Sequence, residues 1–203
     1  MRVGKAAPGH IAIIGAVERL LNRGDRDLTI TKICHESKYS RSGFYYHFGS
    51  IDQCLIEAFN IAESELDKAM SPWLFSQDPE APKLLHALRA TQDCYLKHGN
   101  LMVLMRQRLP EVFYQKMRGL RTAISKRIQI MAPWIPASEA NLITDFFYFA
   151  GMAMWEEFIV TNHNERTEEE MFSIIYHSWT LMLHVNVWSE KHIEPKRQGP
   201  RHI

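Results

Sequence analysis

This 203-residue chain is poor in cysteine, in long apolar runs and in net charge, and each shortage removes a class of protein. Three cysteines, Cys34, Cys54 and Cys94, cannot all pair within one chain and lack the dense, even spacing of a disulfide framework, so a reducing compartment is expected. No stretch reaches the roughly 18 uninterrupted apolar residues that a bilayer span needs. The apolar opening, MRVGKAAPGHIAIIGAVERLL, is broken by Glu18 and Arg19 and has no small-residue cleavage site. It predicts an amphipathic helix rather than a signal peptide, and a cytoplasmic protein with no membrane partner. Enzyme signatures are missing too. The chain contains no G-x-S-x-G, Walker loop, H-E-x-x-H or Rossmann glycine pattern, so we expect no enzyme, no catalytic residue and no cofactor.

The near-neutral sum, 24 Lys and Arg against 23 Asp and Glu, conceals a split. Residues 1–50 hold 8 basic against 4 acidic side chains and the rest 16 against 19, so the N-terminal quarter carries the positive excess.

Apolar residues recur at helical spacing from end to end and strict alternation is scarce, which predicts an all-α fold. Breakers and caps place nine helices, at 8–22, 30–37, 41–47, 51–70, 82–98, 100–108, 110–131, 138–162 and 167–188. Thr29, Ser40 and Ser50 are the expected N-caps of the second, third and fourth. Ser50 with Gln53, and Thr167 with Glu170, have capping-box spacing. The segment between the fourth and fifth helices, with Trp73, Leu74 and Phe75 between prolines, reads as a loop that tucks apolar side chains inward. Gly99 reads as a helix terminator. Three regions follow: 1–50, 51–190, and a tail, 191–203, without apolar periodicity.

Residues 29–48, TITKICHESKYSRSGFYYHF, have the form of two short helices crossing at a tight turn. Phe44 and Phe48, four apart, would anchor the second helix on Ile30 and Ile33. Arg41, Ser42, Tyr45 and Tyr46 would then face outward, Arg41 suited to bidentate contact with guanine and the hydroxyls to phosphate. Gly43 inside a helix costs about 0.8–1 kcal/mol against alanine. That cost makes sense either for close approach to DNA or for tight helix packing. His47 could donate to phosphate or be a satisfied core histidine. Arg2, Lys5 and His10 could add phosphate contacts or simply be solvated.

The segment resembles the helix-turn-helix of the TetR family of transcriptional regulators. The likeness lies in the threonine opening the second helix, Ser40 opening the recognition helix, the run Phe44-Tyr45-Tyr46-His47-Phe48, and Gly49-Ser50 followed by an acid. It implies a three-helix DNA-binding head joined by a linker helix to a helical domain for ligand binding and dimerisation. The DNA-contact set is then Thr29, Lys38, Ser40, Arg41, Ser42, Gly43, Tyr45, Tyr46, His47 and Ser50. Two positions depart from the family pattern. Lys38 stands where a turn glycine is usual, and Ile51 replaces a lysine at the start of the fourth helix, removing one backbone contact to DNA.

Helices 138–162 and 167–188 are apolar around more of their circumference than one buried stripe needs. Pairing with symmetry mates in a homodimer would cover them and set two recognition helices about one DNA turn apart, matching a palindromic operator. The resemblance further implies a small-molecule effector site. Large aromatic and methionine side chains could line it: Trp73, Phe75, Met102, Met105, Phe113, Phe147, Met152 and Trp155. Arg106 beside them favours an anionic ligand and Glu156 or Glu157 a cationic one, so the effector is specified only as hydrophobic or amphipathic. Repression relieved by that effector is the implied activity.

The same fold could instead be regulated by a protein partner or a metal ion. A cavity too small for a ligand would favour the protein partner. Of His86, Cys94 and His98, on one helix face, only the last two are close enough to share an ion, since two helical turns separate His86 from Cys94. We therefore assign no metal ligand.

Overall fold

The computed structural model describes residues 8–76, 82–160 and 167–189. They form eight helices: α1 (Pro8–Asn22), α2 (Ile30–Ser37), α3 (Arg41–His47), α4 (Ile51–Leu74), α5 (Pro82–Arg108), α6 (Pro110–Met131), α7 (Ala137–Val160) and α8 (Glu168–Ser189). No strand occurs among the described residues. The fold is all-α, with eight helices in place of the nine expected. The tail 191–203 and the arm residues Arg2 and Lys5 lie outside the described residues.

Local chemistry starts the helices where the caps predicted. Thr29 accepts from the Lys32 amide at 3.2 Å and Ser40 from the Gly43 amide at 3.0 Å. Ser50 accepts from the Gln53 amide at 3.1 Å while Gln53 Oε1 accepts from the Gly49 amide at 2.9 Å, closing the box. Thr167 and Glu170 make the same reciprocal pair at 2.7 and 3.2 Å.

Two breakers do not break. Pro72 lies inside the last turns of α4, where continuing the helix puts Trp73 into full burial. Gly99 lies within α5 because it serves packing. A β-carbon there would overlap Ile159 of α7, so its missing side chain lets the two helices close on each other.

One continuous core runs from Ile13 and Val17 of α1 through Leu55 and Phe59 of α4, Leu101 and Met105 of α5, and Phe113 and Ile128 of α6 to Phe172 and Trp179 of α8. α4 lies along α5, α6 lies against α7, and α1 touches both α4 and α5. No helix among the described residues is long and apolar enough to cross a membrane.

A candidate nucleic-acid interface on the third helix

The α2–α3 pair is held from behind. Ile33 and Phe44 are fully buried and Phe48 nearly so, with the two phenylalanine rings 5.7 Å apart. Glu36 fastens α2 to α1 through Arg19 at 2.7 Å and Arg23 at 2.8 Å, and these guanidiniums hold its carboxyl below the usual carboxylate range. Two of the eight N-terminal cations are therefore occupied internally. Lys32 is occupied too, donating to Asp25 at 3.0 Å and to the Asp27 carbonyl at 2.8 Å.

Most of the expected set remains outward. Tyr46 is 84% and Tyr45 52% exposed, and Arg41, Ser42, Lys38, Thr29 and Ser50 are exposed as well. The Ser40 and Ser42 hydroxyls lie 2.9 Å apart. The capping hydroxyls of Thr29 and Ser50 spend an acceptor on the helix, which leaves their O–H free to donate outward, while the Ser40–Ser42 pair uses one O–H internally.

Gly43 and His47 also serve packing. A β-carbon on Gly43 would sit 3.3 Å from the Tyr39 ring, so the protein itself supplies a reason for glycine. His47 is half-buried, and its Nε2 lies where a side chain on Gly9 would reach, at 2.5 Å, with the Tyr39 ring at 2.8 Å. Gly9 thus admits His47 and Tyr39 against α1, a role invisible to sequence spacing. His10 turns inward, stacking at 4.5 Å on Phe48 and pairing at 2.8 Å with Glu57 of α4.

Lys38 ends α2 in the left-handed region, at φ 61° and ψ 27°, and its amide donates to the Cys34 carbonyl. A β-carbon costs about 1–2 kcal/mol in that conformation, and glycine recovers this minus its greater unfolded-state entropy. Lys38→Gly is therefore expected to stabilise the chain by about 0.5–1 kcal/mol, read as a raised urea midpoint at unchanged slope.

The expected effector residues divide. Met102, Arg106 and Met152 meet at a seam between α5 and α7, joined by Tyr95, Gly99, Val103, Glu156 and Ile159, which the sequence reading had not included as a group. Arg106 and Glu156 form an ion pair there, and Gln107 reaches Glu156 at 3.5 Å. The seam has room for about 10 Å³, the space of a single water. Trp155 stacks on Tyr95 at 5.6 Å behind it. Trp73, Met105 and Phe113 are core, Trp73 against Trp179 at 5.9 Å and Phe113 against Phe59 at 5.3 Å. Phe75 is 72% exposed and lines a separate cleft of about 250 Å³ between α4 and α6, with Glu63, Asp67, Leu74, Lys116 and Leu120. The side chain of Phe147 lies outside the described residues.

Cys94 and His98 do not converge on one point. Cys94 Sγ donates to the Ala62 carbonyl at 3.7 Å, while His98 engages two glutamates. Burial pushes the Cys54 and Cys94 thiols up to about 12, so both stay protonated.

No protein-family model and no curated protein matches the sequence. Solved structures do match. The fatty acid degradation regulator FadR of Bacillus halodurans superposes with a TM-score of 0.70 at 14% identity, over 89% of this chain and 97% of that one. The chain has the fold of solved TetR-family regulators. A tetR-family transcriptional regulator from Streptomyces coelicolor agrees, with a TM-score of 0.66 at 16% identity over 90% and 84% of the two chains. So does a TetR/AcrR-type regulator from Aquifex aeolicus, with a TM-score of 0.65 at 14% identity over 86% and 99%. Within this TetR fold, the expected helix-turn-helix is α2–α3 and the expected linker is α4.

Proposed function

We propose that the chain is a TetR-type DNA-binding transcriptional regulator, a homodimer that represses from a palindromic operator and is released by a small hydrophobic or amphipathic effector. In this reading 1–50 is the DNA-binding head, 51–190 the effector and dimerisation domain, and 191–203 a tail. The observation that carries it is the two-sidedness of α3. Phe44 and the following Phe48 are buried, whereas Arg41, Ser42, Tyr45 and Tyr46 project into solvent with no acid among them. A seven-residue helix so exposed needs a partner surface to explain two outward tyrosines, and arginine with hydroxyls is chemistry for bases and phosphates.

The dimer reading is supported by α7. Leu142, Phe146 and Phe149, at one-turn intervals, are 69, 67 and 44% exposed, and Ala153 continues the stripe. Apolar side chains in line along three turns favour burial against a second copy.

For the effector, the α5–α7 seam is a closed site. Its apolar walls and internal ion pair admit a ligand only when the helices part, so binding favours a conformation with α5 displaced. By its size the seam alone would favour a protein partner, whereas the open α4–α6 cleft of about 250 Å³, where Phe75 sits, has room for a small molecule as it stands.

On a duplex enriched from random sequence by the protein itself, Arg41→Ala and Tyr45→Ala should each weaken affinity about 10- to 100-fold. Circular dichroism and oligomeric state should stay at the wild-type values. Unchanged affinity in both variants would remove α3 as the reading helix.

A further inference from the structure

His98 on α5 is 1% exposed and lies between two carboxylates from different parts of the fold. Its Nδ1 is 2.8 Å from Glu18 of α1, and its Nε2 is 2.9 Å from Glu65 of α4. Lys97, the preceding residue, holds Glu65 from the other side at 2.8 and 2.9 Å. Asn22 near the end of α1 donates to the Lys97 carbonyl at 3.5 Å. Gly99, the next residue, faces the α5–α7 seam. One turn of α5 thus touches the helix that carries α2 and α3, the helix that leads away from them, and the closed seam.

We propose that His98 is the positioning residue of the DNA-binding unit: as an imidazolium it clamps the end of α1 to α4 and α5 through Glu18 and Glu65, and as a neutral ring it loosens that end of α1. The inference rests on the DNA-binding reading for its consequence, though not for its geometry.

The chemistry follows from donor counting. An imidazolium has two N–H donors, one hydrogen-bonded to Glu65 and one facing Glu18 at ion-pair distance without hydrogen-bond geometry, whereas a neutral imidazole has one donor and turns a lone pair toward the other carboxylate. Glu65 keeps Lys97 when that happens. Glu18 makes no other ion pair among the described residues, so the end of α1 is what loosens, its buried face staying in the core. The charged side chains facing the ring are Glu18 from α1 and Glu65 from α4, with Lys97 on the same helix beyond Glu65. Cys94, one turn earlier, stays a neutral thiol.

Burial opposes the charge on His98, but the two carboxylates outweigh it and raise the ring above its ordinary value of 6.5. The clamp is therefore complete below about pH 6.5 and is lost as pH rises through the folded-state value. Opening the seam beside Gly99 would strain the same turn, which gives an effector a route to the same loosening.

The test is amide hydrogen exchange of the full chain from pH 6 to 9, corrected for intrinsic rates. In the wild type, protection of the Glu18–Asn22 amides should fall about tenfold through one proton-linked step. His98→Gln should show no step. Glu18→Gln, a change at a partly exposed site, should also be flat, because an amide can donate to the neutral ring as well as accept from the charged one. A wild type without the step, or either variant retaining it, overturns the proposal. Affinity for the enriched duplex should change at least about fivefold across the same window in the wild type and less than twofold in His98→Gln. Invariant wild-type affinity there overturns the functional half. Failure to enrich any duplex sinks the DNA-binding reading, and the exchange arm still decides the clamp.

Discussion

Phe44→Ala is expected to cost about 3–5 kcal/mol of stability, the range for emptying a fully buried aromatic site. Phe44 has no exposed surface and packs on Phe48 at the end of the core, beside Ile33 and α1. Seven residues of α3 cannot form a stable helix alone, so loss of this anchor removes the reason for α3 to hold its place. Urea unfolding followed by circular dichroism gives the value, with Tyr46→Ala as control. Tyr46 is 84% exposed, and its truncation should stay within about 0.5 kcal/mol of wild type. A loss below 1 kcal/mol at Phe44 would mean that α3 is held by something other than its buried face.

The second large effect is on association. Replacing both Leu142 and Phe146 with aspartate puts four carboxylates into the proposed α7 interface of a dimer, where each would be desolvated without a cation. A cost of a few kcal/mol for such groups lowers the association constant on the order of a thousandfold or more. Sedimentation velocity should then show a folded monomer at micromolar concentration where the wild type is a dimer. Both residues are more than two-thirds exposed in the single chain, so its stability should change little. A variant that still sediments as a dimer would move the interface elsewhere.

Much of the architecture was legible because local chemistry and tertiary packing agree along most of the chain. Thr29, Ser40, Ser50 and Thr167 cap the helices that their spacing predicts, and Phe44 and Phe48 fall on the buried side of α3. The misreadings come from places where packing overrides a local preference. Gly99 and Pro72 are poor helix formers, yet Ile159 fills the space beside the first and burial of Trp73 rewards continuation past the second. Lys38 is the reverse case. The turn demanded a left-handed residue, the sequence supplied a lysine, and the structure accepts the strain.

The outward set on α3 was readable because exposure on a short helix follows from its two anchors. The effector set was not. Aromatic and methionine side chains look alike whether they line a cavity or fill a core, and only the fold shows that Met102 and Met152 border the seam while Met105 and Phe113 do not, all four being buried in one core. The bridge from His98 to Glu18 and Glu65 spans 80 and 33 residues, so no spacing rule could have found it.

The most direct measurement is selection of duplexes from a random-sequence library by the full-length protein, at fixed salt, beside the Arg41→Ala variant. The account predicts enrichment of an inverted repeat whose half-sites lie about one helical turn apart, and loss of that enrichment in the variant. Absence of any enriched sequence, or the same repeat enriched equally by Arg41→Ala, would contradict it.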